Sequence, residues 1–213
     1  MAISTQDLIA MFNAISNMIE TNKDHLSELD GIIGDADHGV TMEIGFSAVS
    51  EALANLGSES SDPGTVFNTA AKSFLNAVGA SSGPLYATAF MRAGAAVKGQ
   101  PELDRANMVE VITAMARGVQ DRGKAERGDK TMVDAWLPAA EAMSEAAASG
   151  AALGQCLDAA AKAAAEGAES TKAMRASKGR AARLGDRSLG HIDPGAASTA
   201  MIIRTIADQF SGR

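Results

Sequence analysis

Leu8, Phe12, Ile15 and Ile19 recur at three- and four-residue intervals, as do Met108, Ile112, Met115 and Val119, and again Met132, Trp136, Ala139 and Met143. That spacing places each set on one face of an α-helix and marks it as core. β-branched residues never gather into alternating runs, so the pattern carries no signal for a sheet. Breaks at Gly57, Pro63, Gly79, Pro101, Gly123, Gly150 and Pro194 predict eight helices, over 4–22, 41–56, 64–78, 84–98, 105–122, 131–149, 152–174 and 194–210. Their short connections favour antiparallel neighbours, hence an all-α chain: an eight-helix antiparallel up-and-down barrel or bundle, one domain over residues 1–213.

Such a topology starts every even-numbered helix at the same end. Four conspicuous loops precede those helices: Gly34–Gly39, Gly79–Pro84, Gly128–Thr131 and His191–Gly195. Segments far apart in sequence are thereby expected on one rim, together with helix N-termini whose N–H groups and positive dipole ends attract anions.

The first of these loops carries distinctive chemistry. Asp30, Asp35 and Asp37 lie within eight residues, among glycines, and His38-Gly39 follows at once. Carboxylates so crowded repel one another unless a cation bridges them or one stays protonated. A hard divalent ion suits an all-oxygen set. Mg²⁺ in particular takes few carboxylates and leaves positions to water and substrate phosphates. An EF-hand is excluded, because the twelfth position of a loop opening at Asp35 is Phe46 rather than a bidentate Glu.

The other loops are weaker signals taken singly. Gly79-Ala-Ser-Ser-Gly-Pro84 has side chains small enough for backbone to approach a ligand, although a plain helix connection has the same composition. Asp193-Pro194-Gly195 is an ordinary helix cap that could also orient a ligand. Gly123–Thr131 superficially resembles a P-loop, but Asp129 separates the second glycine from Lys-Thr and no strand precedes it, so the Walker reading is rejected. Lys172, Arg175, Lys178, Arg180, Arg183 and Arg187 form a basic run opposed only by Asp186 and interrupted by Gly179, Gly185 and Gly190. A solvated face and a phosphate-binding flap both account for it, and Arg180 is the preferred phosphate ligand. His38 and His191 adjoin the acidic loop and the Asp-Pro-Gly turn, where capping or packing roles compete with contact to a ligand.

Composition narrows the picture. A formal net charge of −7 argues against nucleic acid as the main partner. Aromatic content of 4% and abundant alanine agree with a helical fold. Cys156, the single cysteine, cannot form an intrachain disulfide and reads as a small core residue. No apolar run approaches membrane length and the N-terminus lacks a basic signal region, so a cytoplasmic protein without membrane contact is expected.

Taken together, Leu29-Asp-Gly-Ile-Ile-Gly-Asp-Ala-Asp-His-Gly39, Gly83-Pro-Leu-Tyr86, Gly123-Lys-Ala-Glu126, Gly128-Asp-Lys-Thr-Met132 and Gly190-His-Ile-Asp-Pro-Gly-Ala196 resemble the nucleotide-binding L subunit of dihydroxyacetone kinase, in order along essentially the whole chain. The resemblance implies an eight-helix barrel holding ADP or ATP through two Mg²⁺ ions at one end. Matched by position, Asp30, Asp35 and Asp37 are implied metal ligands. His38, Gly39, Val40 and Thr41 lie beside the phosphates, and Ser81 and Ser82 in a phosphate loop. Gly123 and Met132 fall in an adenine pocket, Arg180 against the phosphates, and Asp193, Pro194 and Gly195 in a closing loop. Ala80 departs from the glycine often found there, without displacing a role.

The resemblance further implies partners. A separate K subunit holds dihydroxyacetone, and a phosphohistidine protein of the phosphotransferase system recharges resident ADP; in fused forms ATP exchanges from solution instead. A related ketose such as a tetrulose, or a docking role toward a transcription regulator, are the alternatives. Phosphoryl transfer of this kind runs on charge neutralisation and alignment, so Arg180 is the one catalytic residue expected here, and any general base is expected in the partner.

Overall fold

The computed structural model describes residues 2–56 and 62–212; Gly57, read as a helix break, lies outside them. Among the described residues there are eight α-helices, α1 (Thr5–Ile33), α2 (His38–Ala54), α3 (Pro63–Ala77), α4 (Ser82–Ala96), α5 (Arg105–Gly123), α6 (Val133–Ala148), α7 (Leu153–Ser170) and α8 (Pro194–Phe210). Two 3₁₀ segments, Thr171–Ala173 and Ala181–Ser188, occupy the connection from α7 to α8. Each helix packs on its successor and α8 returns to α1, which closes the ring. An antiparallel bridge pairs Ile3 with Leu103, tying the N-terminal segment to the α4–α5 connection.

The largest departure from the expected spans is α1, which continues from residue 22 to Ile33. The polar run Glu20–His25 reads as a stop, yet Leu26, Asp30 and Ile33 extend the buried stripe begun at Leu8 by further helical steps. Asp30 therefore stands on the inner face of a helix, not in a loop. Smaller departures have local causes. α2 starts at His38 rather than 41, because the Asp30 carboxylate accepts the amides that open it. α4 starts at Ser82 with Pro84 in its first turn, where a missing N–H leaves nothing unsatisfied. α7 ends at Ser170 and tightens into the first 3₁₀ segment.

One apolar core runs through all eight helices. Its centre is an edge-to-face aromatic group in which Phe46 of α2 meets Phe74 at 5.3 Å and Tyr86 at 5.8 Å, while Phe12 meets Phe90 at 5.4 Å. Cys156 is fully buried within it. Near the future site α1 and α2 touch backbone to backbone, since a β-carbon on Gly39 would come within 1.8 Å of the Lys23 carbonyl oxygen. Gly167 similarly lets α7 lie against α6, where a β-carbon would fall 2.1 Å from the Asp134 carbonyl oxygen. Only hydrogen fits at either place.

Candidate functional site

Asp30 in the last turn of α1, and Asp35 and Asp37 in the connection to α2, bring three carboxylates together at one end of the barrel. Asp30 is 8% exposed, and its Oδ2 accepts the amides of Asp37 at 3.0 Å and His38 at 3.2 Å. Ala36 takes φ +63°, a left-handed conformation that costs a non-glycine residue energy and folds the loop back. One oxygen from each of Asp30, Asp35 and Asp37 can then lie within 4.8 Å of the others. Partial burial, reinforced by Asp35 and Asp30, holds the Asp37 carboxyl above its ordinary value, and Arg180 offsets this in part. Arg180 Nη1 reaches Asp35 Oδ2 at 2.6 Å. Such a set fits a hard divalent cation, which relieves the mutual repulsion as no neutral ligand can.

Beside the carboxylates lie two adjoining clefts. A polar one of about 430 Å³ is lined by the acidic cluster with His38 and Thr41, by Gly79–Ser82, by Lys130–Met132, by Lys178–Ala181 and by Asp193–Gly195. An apolar one of about 460 Å³ is walled by Pro84, Leu85, Val119, Gly123, Ala125 and Val133. Ser81, Leu85, Thr131, Met132, Lys178 and Gly179 line both, so the two form one continuous recess. Its apolar half suits a flat heterocycle, and its polar half suits phosphate with a cation.

The helix ends reinforce this division. α2, α4 and α6 open on the recess with no hydrogen bond from their own N-cap side chains. α8 differs, since Asp193 Oδ2 accepts the Ala196 amide at 2.8 Å. Burial pushes the Asp193 carboxyl up to about 7, against the opposing pull of the Ala196 amide and Lys130.

Around this recess the polar side chains hold one another in place. His38 Nε2 lies 2.9 Å from Ser198 Oγ, and the Ser198 hydroxyl donates to the Gly195 carbonyl at 3.0 Å. In the neutral ring the direction of the His38–Ser198 bond is set by the tautomer. Burial lowers the His38 pKa, which favours that neutral form. Behind it burial pushes the Tyr86 hydroxyl up to about 12, against the opposing pull of the Thr199 and Ser198 hydroxyls.

Of the residues singled out by sequence, Asp30, Asp35, Asp37, His38, Thr41, Ser81 and Ser82 line the polar cleft, with Met132, Arg180, Asp193, Pro194 and Gly195. Gly123 lies in the apolar cleft. Gly39 and Val40 line neither, Gly39 being spent on the α1–α2 contact and Val40 facing outward at 47% exposure. His191 contributes a carbonyl rather than its ring, accepting from Lys130 Nζ. Lys178 comes to the recess as part of the basic run, whereas the sequence reading assigns no site role to Lys130, Leu85 or Asp134. For Asp134 a signal exists: Thr131-x-x-Asp134 has the spacing of a helix-start box, and Asp134 indeed accepts the Thr131 amide at 2.9 Å.

Residues 32–208 match the DAK2 domain family. The chain is 37% identical over 207 residues to the PEP-dependent dihydroxyacetone kinase, ADP-binding subunit DhaL, of Escherichia coli, covering 97% of this chain and 98% of the relative. It is 41% identical over 193 residues to the ADP-binding subunit DhaL of PEP-dependent dihydroxyacetone kinase 2 from Listeria innocua, covering 91% and 89%. The crystal structure of the dihydroxyacetone kinase from C. freundii in complex with AMP-PNP and Mg²⁺ superposes with a TM-score of 0.74 at 27% identity, covering 94% of this chain and 33% of that one.

Proposed function

Because the chain belongs to the DAK2 domain family and is a DhaL-type kinase subunit, we propose that it holds Mg²⁺-ADP or ATP in the recess and passes the γ-phosphoryl group to dihydroxyacetone carried by a separate K subunit. The observation that carries this reading is the juxtaposition of the three-carboxylate cluster with a recess that is apolar on one side and lined by helix N-termini on the other. Asp30, Asp35 and Asp37 would hold the metal, two ions in the form we propose, and the metal would neutralise phosphate charge. Ser81 and Ser82 at the start of α4, with His38 and Thr41 on α2, bind the phosphates. Gly123, Met132 and Leu85 bound the adenine side. Arg180, already within reach of the acidic cluster, neutralises charge on the transferring group. Asp193–Gly195 closes over the nucleotide from the start of α8.

This assignment leaves no general base in the chain. Phosphoryl transfer depends chiefly on alignment and electrostatic stabilisation, so the acceptor's proton is the partner's concern. We further propose a single cytoplasmic domain in which ADP stays bound and is recharged by a phosphotransferase-system phosphohistidine protein. The PEP-dependent names of the relatives support that donor over exchange with free ATP.

The test is to desalt the purified protein, denature it and quantify adenine nucleotide. About one ADP per chain supports a resident cofactor, while an empty protein that binds ATP reversibly favours exchange. Transfer to dihydroxyacetone with the K subunit present, abolished in Asp30→Ala, supports the metal assignment. Full transfer in that variant sinks it.

A further inference from the structure

The basic connection between α7 and α8 is a closed loop with a defined neck. Gly190 N–H donates to the Lys172 carbonyl at 2.8 Å, and Asp193 N–H donates to Thr171 Oγ1 at 2.9 Å, so the two strands of the neck lie side by side. Between these bonds the chain carries Lys178 and Arg180 out to the polar cleft. The loop's own core is slight: Ala176 and Ser188 are its buried residues between 174 and 190, joined by the Ala176 amide donating to Ser188 Oγ at 3.0 Å.

The neck is bound from outside by the loop that precedes α6. Lys130 is 1% exposed, and its Nζ donates to the Thr171 carbonyl at 2.6 Å and to the His191 carbonyl, one on each side of the neck. Asp129 adds a second attachment farther out, its carbonyl accepting the Ser177 amide at 3.2 Å and its carboxylate accepting the Ser177 hydroxyl. Lys130 reaches inward because its backbone takes φ +59°, and Asp134 holds that turn by accepting the amides of Gly128 and Thr131. A buried ammonium with two of its three donors committed to main-chain carbonyls is held by the neck. It is an anchor.

We propose that Lys130 is a positioning residue, a clamp across the neck of the Lys172–Gly190 loop that fixes Arg180 at the acidic cluster. The inference deepens the nucleotide-site reading and rests on it for its functional consequence, but the clamp itself can be tested without nucleotide. Removing the ammonium leaves the His191 carbonyl without this partner and the Thr171 carbonyl with the Met174 amide alone, and frees the neck to open. Arg180 then loses its preset position.

The experiment compares wild type, Lys130→Met, Arg180→Met and the double variant. In nucleotide-free protein, native-state trypsin cleavage between residues 175 and 187 should quicken about tenfold in Lys130→Met, as expected for loss of a charge-assisted bond. Mg²⁺-ADP affinity should fall about tenfold in Lys130→Met against wild type, yet less than about twofold when the same change is made on Arg180→Met, because the clamp acts through Arg180. Lys130→Gln, which keeps a donor, guards against misfolding of the Met variant and should lie between it and wild type in both measurements. Unchanged cleavage in the Gln and Met variants overturns the clamp. Equal loss of affinity in both Arg180 backgrounds overturns the claim that it works through Arg180. A wild-type protein that fails to bind Mg²⁺-ADP refutes the nucleotide reading and leaves the cleavage test of the clamp intact.

Discussion

The two ends of the barrel treat their helix N-termini differently. At the end remote from the recess, three of the four helices are capped by their own side chains: Ser4 accepts the Asp7 amide at 3.2 Å, Asp62 the Thr65 amide at 2.7 Å and Asp104 the Asn107 amide at 2.9 Å, while α7 starts at Ala152 without a side-chain cap. At the recess, α2, α4 and α6 have no such cap and α8 alone has one, from Asp193. One end therefore satisfies most of its amides through its own N-caps, while the other relies on the more distant Asp30 carboxylate and on Asp134, and presents a carboxylate cluster and a strained turn at Ala36 to a cavity. Departures from the rules of good local structure gather where a ligand is expected to complete them.

The contrast can be broken most severely at Asp30, which serves both the acidic cluster and the start of α2. Asp30→Ala is expected to weaken Mg²⁺-dependent ADP binding by about a hundredfold by calorimetry, on the scale of metal-site substitutions. A loss below about threefold would separate this carboxylate from the site. Gly39→Ala attacks the same end through packing. With 1.8 Å between the added carbon and the Lys23 carbonyl oxygen, denaturant unfolding should show destabilisation of about 1–3 kcal/mol. Stability within error of wild type would mean that α1 and α2 separate easily.

At the opposite end Asp104→Ala should cost about 1 kcal/mol of stability and leave nucleotide affinity unchanged. A matching loss of affinity would show that the ends are not independent. The recess end should in turn show a pH slope. Burial pushes Asp193 up to about 7 from 3.8, so between those values the folded chain keeps a proton that the unfolded chain has released. The stability this proton confers is present below the lower value and is lost as pH rises to about 7. Asp193→Asn, which retains a cap acceptor, should flatten that part of the stability profile; an identical slope in both proteins would return Asp193 to an ordinary carboxylate.

Much of this contrast is legible in the sequence, because helical periodicity and glycine breaks are local. They suffice for eight helices and for the gathering of four loops at one end. The continuation of α1 is not legible in the same way. Glu20–His25 is polar all round, and only packing against α2 shows that Leu26, Asp30 and Ile33 belong to the same stripe. Lys130 is hidden for a different reason: a lysine among glycine, aspartate and threonine looks solvent-facing, and its burial depends on the carbonyls of Thr171 and His191, 41 and 61 residues away. Gly39 shows the converse, since a motif glycine beside the acidic loop proves to be needed for helix contact rather than to line the recess.

The most direct test of the central claim is a calorimetric titration of ADP into protein stripped of nucleotide and metal, with and without Mg²⁺. The account predicts one ADP per chain, bound at least about tenfold more tightly with Mg²⁺, and predicts that Asp35→Asn and Asp37→Asn each reduce that enhancement. Binding of equal strength in the presence and absence of Mg²⁺, or no binding in either, would contradict it.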